Sequence, residues 1–328
     1  MTQTVLLTGI TGFIAKRIAY DLLEQGYHVR GSLRSAKRQD EVRAALKGTK
    51  VENLSFVPLD LTKDDGWDAA MVGVDVMIHT ASPFPMTPPK DENQLIRPAV
   101  DGTLRALRAA HGAGVTRVVL TSSMVAIMHT DRPKGHKYGP DDWTDLDHPT
   151  TGVYAKSKTM AERAAWDFAA AHPDLELTTI HPGLVCGAPM DRHFGTSLQL
   201  IERLMSAKDP MQPNIGLPVV DVIDVSALHI AAMENSTTIG TRVIASDDYL
   251  MMPDIAAHLA DVFPNQGIKT RIAPKFLLRI LALFDPALRQ IVPQVGIQID
   301  IDNQNGKDLI GGFVPAKQSI QTAAEFVK

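Results

Sequence analysis

The sequence predicts a doubly wound α/β fold, in which helices cover both faces of a largely parallel sheet. In the first two thirds of the chain, short apolar runs alternate with helical patterns, as in repeated β-α-β units. The apolar runs are mostly continuous, which is typical of strands buried on both faces. After Pro182 this alternation is replaced by a longer irregular segment, so a smaller second part is expected to begin there.

Six strands and three long helices are predicted before that point. The predicted strands span residues 4–8, 27–33, 53–59, 74–80, 117–122 and 175–180. The predicted helices span about residues 12–25, 93–113 and 154–172. Gly26 and Gly114 stand where the first two helices should end, because glycine favours the left-handed helix cap.

The second part is expected to be discontinuous. Residues 187–216 are rich in Gly, Pro and Met and contain one short predicted helix at 196–207, as in a lid or substrate wall. A strand at 217–224, a helix at 224–233 and a strand at 241–246 follow, and the chain is mostly helical from Pro253. We therefore assign residues 1–182 and about 217–246 to a nucleotide-binding domain, and about 183–216 and 247–328 to a substrate-binding part.

Composition excludes several classes of function. The 328 residues carry a net charge of −4, which is not the basic field of a nucleic-acid-binding protein. One cysteine, Cys186, allows no intrachain disulfide and fits a reducing compartment. No apolar run approaches the ~18 residues of a membrane span, and the early first strand leaves no room for a signal peptide. A cytoplasmic protein without a membrane partner is expected.

The first strand-to-helix turn has the spacing of a dinucleotide site. It reads TGITGFI at residues 8–14, with Ala15 next. Gly9 permits a tight turn, Gly12 lets a pyrophosphate approach the helix N-terminus, and Ala15 is small enough for helix-strand packing. The predicted cofactor-binding residues of this turn are Gly9, Thr11, Gly12, Phe13 and Ile14.

The end of the second strand favours NADP(H) over NAD(H). Sites that prefer NAD place an acid there to bind the ribose 2′-hydroxyl. Here the strand ends at Arg34, Lys37 and Arg38 follow, and the first acid is Asp40. A guanidinium at this position suits a 2′-phosphate.

Two further strand ends are candidate cofactor contacts. Asp60 and Leu61 follow the third strand and are placed to hold the adenine amino group. Thr80, Ala81 and Ser82 follow the fourth strand and are placed near the ribose and phosphates. Taken without other evidence, each segment fits an ordinary turn equally well.

The candidate catalytic residues are Ser123, Tyr154 and Lys158. Tyr154 and Lys158 lie four apart at the start of a predicted helix, so the ammonium is expected beside the phenol, where it would lower the pKa of Tyr154. Tyr154 would then protonate a carbonyl oxygen while Lys158 binds the ribose. Ser123, at the end of the fifth strand, would bond the same oxygen. Ser122 is the alternative hydroxyl and a further candidate cofactor contact.

The chain resembles an extended short-chain dehydrogenase/reductase with a Rossmann domain, of the dihydroflavonol reductase, cinnamoyl-CoA reductase and aldehyde reductase group. The resemblance rests on matching segments in family order at residues 8–14, 29–34, 60–62, 79–84, 118–123, 154–166, 181–183, 220–225 and 302–311. It implies NADPH-dependent reduction of an aldehyde or ketone, with hydride delivered from the B face. It also implies nicotinamide contacts from Pro182, Gly183 and Val185.

Two departures from the group bear on specificity. Plant flavonoid reductases carry an Asn five residues after the catalytic Ser, where this chain has Met128, so dihydroflavonol is not the expected substrate. The group's second phosphate-binding Lys has no clean counterpart, and Lys37 and Arg38 are stand-ins.

Other functions on the same scaffold remain open from the sequence. The sequence SMVAI at residues 123–127 lacks the acid pair of a dehydratase, but a nucleotide-sugar epimerase or a hydroxysteroid dehydrogenase fits. A non-catalytic NADP-sensing protein is disfavoured by the intact Ser, Tyr and Lys. The expected partner is a small carbonyl or alcohol, the expected state is a monomer or homodimer, and no His or Cys spacing predicts a metal site.

Overall fold

A computed structural model describes residues 3–82 and 91–328. Its strands are β1 Thr4–Thr8, β2 His28–Leu33, β3 Leu54–Pro58, β4 Val76–His79, β5 Arg117–Thr121, β6 Lys137–Tyr138, β7 Glu176–Pro182, β8 Leu184–Cys186, β9 Gly216–Asp221, β10 Arg242–Ala245, β11 Asp248–Met251 and β12 Asp300–Ile301. Its helices are α1 Phe13–Gln25, α2 Gln39–Ala45, α3 Trp67–Met71, α4 Asn93–Gly112, α5 Val153–Ala171, α6 Gly195–Met205, α7 Val222–Glu234, α8 Met252–Val262, α9 Lys275–Leu281, α10 Pro286–Ile291, α11 Gln304–Ile310 and α12 Ala316–Val327.

The central sheet has seven strands in the order β10-β7-β5-β4-β1-β2-β3. Every pairing in it is parallel, because each strand returns through a crossover connection. The chain builds β2 and β3 on one side of β1 and the later strands on the other. The order therefore reverses between β1 and β4, which is where ligands bind in sheets of this kind. The predicted doubly wound fold is confirmed.

Both faces of this sheet are buried, as the continuous apolar runs predicted. Side chains alternate across each strand, so Leu7 and Ile78 face one helical layer while Leu6 and Met77 face the other. The first layer is built from α1 and α7, and the second from α4 and α5. This close packing holds the carboxyl ends of the strands in fixed positions.

The second part of the chain has its own small sheet and core. β8, β9 and β11 form a three-stranded sheet, and β6 pairs with β12. Leu198, Ile201, Leu259 and Ile320 join α6, α8 and α12 in one buried cluster. The strand at 216–221 thus belongs to the small sheet, whereas α7 and β10 belong to the large fold. The domain division drawn from the sequence stays a prediction.

The predicted strands and helices of the first part are all present, within one or two residues of the expected bounds. Gly26 caps α1 with a φ of 92°. The short elements α2, α3, β6, β8 and β12 were not predicted, because each is too short to show a periodic pattern of apolar residues. Pro83 and Phe84, part of the resemblance at residues 79–84, lie outside the described residues.

None of the helices that the structure describes is both long and apolar enough to cross a membrane.

Arg117 should contribute strongly to stability. This buried guanidinium donates to the carbonyl oxygens of Glu176, Ala232 and Met233 and to two threonine hydroxyls. We expect Arg117→Met to lower the free energy of unfolding by about 2–4 kcal/mol, because these buried acceptors would lose their donors. Urea denaturation measures this difference.

Arg108→Met is the matched control, because Arg108 is exposed on α4. We expect this control to change stability by less than about 0.5 kcal/mol. Equal effects of the two substitutions would contradict the role assigned to Arg117.

Candidate active site

The glycine turn joins the end of β1 to the start of α1. Gly9 has a φ of +69°, and a Cβ there would lie 3.1 Å from the Cα of Ala81. The Gly12 amide donates to the Gly9 carbonyl oxygen at 2.9 Å. Gly12 is exposed, and no side chain caps α1. The amides of the first turn of α1 are therefore available to an anion, as in a pyrophosphate site.

The side chains after the turn pack towards the second part of the chain. Phe13 and Ile14 contact the buried cluster that contains Val185 and Val220, while Thr11 is half-buried. The structure thus places the predicted residues of the glycine turn beside predicted nicotinamide residue Val185.

The end of β4 is bonded to the end of β1. The Thr80 hydroxyl donates to the Thr8 carbonyl oxygen at 2.6 Å, and the Ala81 amide donates to the Thr8 hydroxyl at 3.1 Å. The Thr8 hydroxyl in turn lies 2.9 Å from Nδ1 of His79. Burial, with a smaller contribution from the charge of Lys158, lowers the pKa of His79 to about 3. His79 is thus a neutral packing residue, and Thr80 and Ala81 are held beside the crevice.

Arg34 and Lys37 are the free cations at the end of β2. Both are exposed, and neither side chain has a hydrogen bond or ion pair within residues 3–82 and 91–328. Arg38, by contrast, forms two hydrogen bonds with Glu41, at 2.8 and 2.7 Å. Arg38 is therefore the weaker of the two expected stand-ins for a second phosphate-binding residue.

Asp60 lies next to Arg34 at the neighbouring strand end. Hydrogen bonds from the Thr62 amide and hydroxyl hold the pKa of Asp60 below its usual value, and the charge of Arg34 adds to this. The following residue, Leu61, packs against Gly102, and its carbonyl oxygen accepts from Arg105. The neighbouring strands β2 and β3 are thus followed by a guanidinium and a carboxylate, respectively.

Ser123 and Tyr154 meet beyond the end of β5. Burial raises the pKa of Tyr154 to about 12, and a hydrogen bond from the Ser123 hydroxyl partly opposes this. The expectation that Lys158 lowers the pKa of Tyr154 is wrong for the chain by itself. Tyr154 is half-buried, and the protein atoms around its phenol disfavour the anion, while the Lys158 ammonium donates to the Thr121 carbonyl oxygen.

Lys158 is buried and donates to the carbonyl oxygen of Thr121 at 2.8 Å. Burial lowers the pKa of Lys158 to about 8, while the charge of Glu162 opposes that shift. Lys158 also lines a void of about 10 Å³, together with Ala81, Ser82 and Ser122. A void of this size holds about one water molecule. The structure thus brings the ends of β4 and β5 to the Lys158 ammonium.

The two adjacent serines have different partners. The Ser122 hydroxyl donates to the Glu162 carboxylate at 2.6 Å, whereas Oγ of Ser123 lies 3.4 Å from the Pro182 carbonyl oxygen. Because the Ser122 hydroxyl is bonded to a buried acid and the Ser123 hydroxyl bonds to Tyr154, Ser123 is the better candidate for the catalytic hydroxyl. Sequence reasoning gave Glu162 no role, although an acid four residues after Lys158 on a buried helix face was a usable signal.

The backbone after β7 approaches β9 closely. The Gly183 amide donates to the Ala245 carbonyl oxygen at 3.0 Å. A Cβ at Gly183 would lie 2.3 Å from the Pro218 carbonyl oxygen. Only glycine fits at this position, and it keeps the predicted nicotinamide residues Pro182, Gly183 and Val185 in one rigid segment.

A separate cleft, which does not include Ser123 or Tyr154, is lined by Met128, five residues after Ser123. It has a volume of about 280 Å³ and runs from Met128 to Tyr249, Gln294 and Ile297. Met124 and Met205 are buried in the core. Met128 is the methionine that lines this cleft.

One group of potential metal ligands occurs among the described residues, formed by Glu41, Asp191 and His193. The ammonium of Lys16 bonds to both carboxylates. A lysine already supplies the positive charge that this group attracts, so we assign it no metal.

These features define a nicotinamide-dinucleotide-dependent oxidoreductase of the doubly wound α/β class. The chain matches the model of the NAD dependent epimerase/dehydratase family over residues 5–244. It belongs to this family.

Relatives with named activities include two reductases. The chain is 32% identical to the NADPH-dependent methylglyoxal reductase GRE2 of Saccharomyces cerevisiae, over 80% of this chain and 83% of that one. It is also 32% identical to cinnamoyl-CoA reductase 1 of Arabidopsis thaliana, over 82% and 77%. The crystal structure of yeast methylglyoxal/isovaleraldehyde reductase Gre2 complexed with NADPH superposes with a TM-score of 0.83, at 28% identity over 99% and 98%. The resemblance found in the sequence is confirmed.

Gly183→Ala should disturb the site without touching a catalytic group. Because its Cβ would overlap the Pro218 carbonyl oxygen, we expect a loss of about 1–3 kcal/mol in the free energy of unfolding. Thermal unfolding measures the loss.

Gly152→Ala serves as the control, because a Cβ at Gly152 meets nothing within 4 Å and the residue has a φ of −79°. The close approach at Gly183 would be refuted if both variants melted like the parent protein.

Proposed function

We propose that the protein is an NADPH-dependent reductase of an aldehyde or ketone, with Tyr154 as the proton donor. The observation that carries the proposal is the hydrogen bond between the Ser123 and Tyr154 hydroxyls at the crevice, with Lys158 one helical turn further along α5. The named activities of the methylglyoxal and cinnamoyl-CoA reductases support a carbonyl substrate.

The residues of the crevice fit NADPH. The uncapped N-terminus of α1 and the exposed Gly12 suit the pyrophosphate. Arg34 and Lys37 have no ion-pair partner among the described residues and suit the 2′-phosphate, while Asp60 suits the adenine amino group. When bound, the cofactor supplies the hydride.

The chain's own groups would handle the carbonyl oxygen. Tyr154 stays protonated at neutral pH because its pKa is raised to about 12, so it can donate a proton as negative charge develops on that oxygen. The Ser123 hydroxyl donates a second hydrogen bond to the same atom and orients it. Lys158 holds the ribose hydroxyls with its ammonium. In the reverse direction the same groups would accept the proton of an alcohol.

Met128 and the adjoining cleft favour a substrate with an apolar group next to the carbonyl. The thioether is flexible and polarisable, so it adapts to differently shaped apolar groups. We propose that the enzyme acts in the cytoplasm, as a monomer or as a homodimer formed through α4 and α5.

Oxidation of NADPH and NADH should be followed with a panel of aldehydes, ketones and β-keto esters, with nucleotide sugars included. We expect turnover of a carbonyl with NADPH. Interconversion of a nucleotide sugar without net cofactor oxidation would indicate an epimerase instead. Tight NADPH binding without any turnover would indicate a sensing protein.

Tyr154→Phe should reduce kcat by at least about 100-fold, because it removes the proton donor while keeping the ring. NADPH binding, measured by fluorescence titration, should change less than about threefold, since the phenol is not expected to carry the cofactor's affinity. Tyr20→Phe, a change of a half-buried tyrosine on α1, is the control and should leave kcat unchanged. Retention of activity by Tyr154→Phe would exclude Tyr154 as the donor.

Arg34→Ala should weaken NADPH binding by about tenfold to a hundredfold and leave NADH binding nearly unchanged, because only NADPH carries the 2′-phosphate. Titration calorimetry gives both Kd values. Arg38→Ala is the comparison variant, and its effect should be smaller because Arg38 is engaged by Glu41. Equal loss of NADPH and NADH affinity in Arg34→Ala would rule out the phosphate contact.

A further inference from the structure

Glu162 is a fully buried carboxylate one helical turn after Lys158. Its side chain is 1% exposed, and a buried carboxylate is costly unless donors surround it. Five side chains donate to it: Ser122 at 2.6 Å, His181 at 2.7 Å, Arg242 Nε at 2.7 Å, Trp166 at 3.2 Å and Thr179 at 3.2 Å. The proposed reaction gives this acid no direct role.

Trp166 lies on α5 itself, and the other four donors come from the central sheet or from the residue after one of its strands. Ser122 follows β5, Thr179 and His181 belong to β7, and Arg242 begins β10. Arg242 also donates to the Pro140 carbonyl oxygen at 2.7 Å. Glu162 therefore joins α5, which carries Tyr154 and Lys158, to the strands that carry Ser123 and Pro182.

Glu162 is also the charge that balances Lys158. The Lys158 ammonium donates to an uncharged carbonyl group, and the neutral side chains of His79 on β4 and Thr103 on α4 lie near Lys158. Burial alone disfavours the ammonium, and among the described residues Glu162 is the acid that opposes this. Burial by itself raises the pKa of Glu162, but His181 and Arg242 hold it well below its ordinary value, so its charge persists.

We propose that Glu162 is a positioning residue of this active site. Its carboxylate sets the place of α5 against β5, β7 and β10, keeps Lys158 charged, and engages Ser122 so that Ser123 alone faces the substrate. The catalytic consequence of this inference rests on the proposed function, but the effect of Glu162 on Lys158 can be measured by cofactor binding alone.

The test compares Glu162→Gln with Asp167→Asn, which removes an exposed charge from the same helix. For each protein, the Kd of NADPH and kcat/KM for a carbonyl substrate are measured from about pH 6 to pH 10. Without the carboxylate, the pKa of Lys158 should fall further, so the ammonium is lost at a lower pH. We expect the alkaline limb of both profiles to move down by about one pH unit in Glu162→Gln, and to stay in place in Asp167→Asn.

A loss of activity by the same factor at every pH, with the limb unmoved, would overturn the proposal and leave Glu162 a purely structural residue. Unchanged profiles would also overturn it. If Glu162→Gln does not fold, Glu162→Asp decides, because it keeps the charge but withdraws it by one methylene. A downward movement of the limb in Glu162→Asp supports the proposal, and a limb that stays in place, with or without a lowered kcat, contradicts it. If the parent protein reduces no carbonyl, the proposed function fails while the Kd profile still tests Glu162.

Discussion

The reversal of strand order between β1 and β4 is the constraint on which the site depends. The connection after β1 leads to β2 on one side, and the connection after β4 leads to β5 on the other side. Neither connection therefore covers the space between the carboxyl ends of β1 and β4. The resulting crevice exposes the N-terminus of α1 from one side and Thr80 and Ala81 from the other. The hydrogen bonds from Thr80 and Ala81 to Thr8 fix its width.

Charges inside this fold are tolerated where several dipoles or opposite charges meet them. Arg117 is surrounded by carbonyl oxygens, Lys16 by two carboxylates, and Glu162 by cations and hydroxyls. Among the residues that the structure describes, Lys158 is the exception, because a single carbonyl oxygen accepts a hydrogen bond from it. An incompletely balanced cation at a candidate catalytic position is consistent with an active site, where groups are tuned by their surroundings.

The fold could be predicted from the sequence, and the candidate catalytic residues could be located in it, because their signals are local. A glycine turn between strand and helix, and a Tyr-Lys pair on one helix face, need only short-range periodicity. The partners of these residues could not be predicted, because they depend on which strand ends meet in space. Ser122 and Ser123 are adjacent in sequence, yet only the structure shows that one donates to Glu162 and the other to Tyr154. The pKa of Tyr154 was misjudged for the same reason, since burial depends on the whole tertiary structure.

The central position of β1 has a consequence for synthesis on the ribosome. The sheet grows outward from its first strand, and β10 is added at an edge only after residues 242–245 have been made. Arg242 then reaches back 80 residues to Glu162. Such long sequence separations slow folding, so a nascent chain can assemble the strands around β1 well before α5 is anchored to the edge of the sheet.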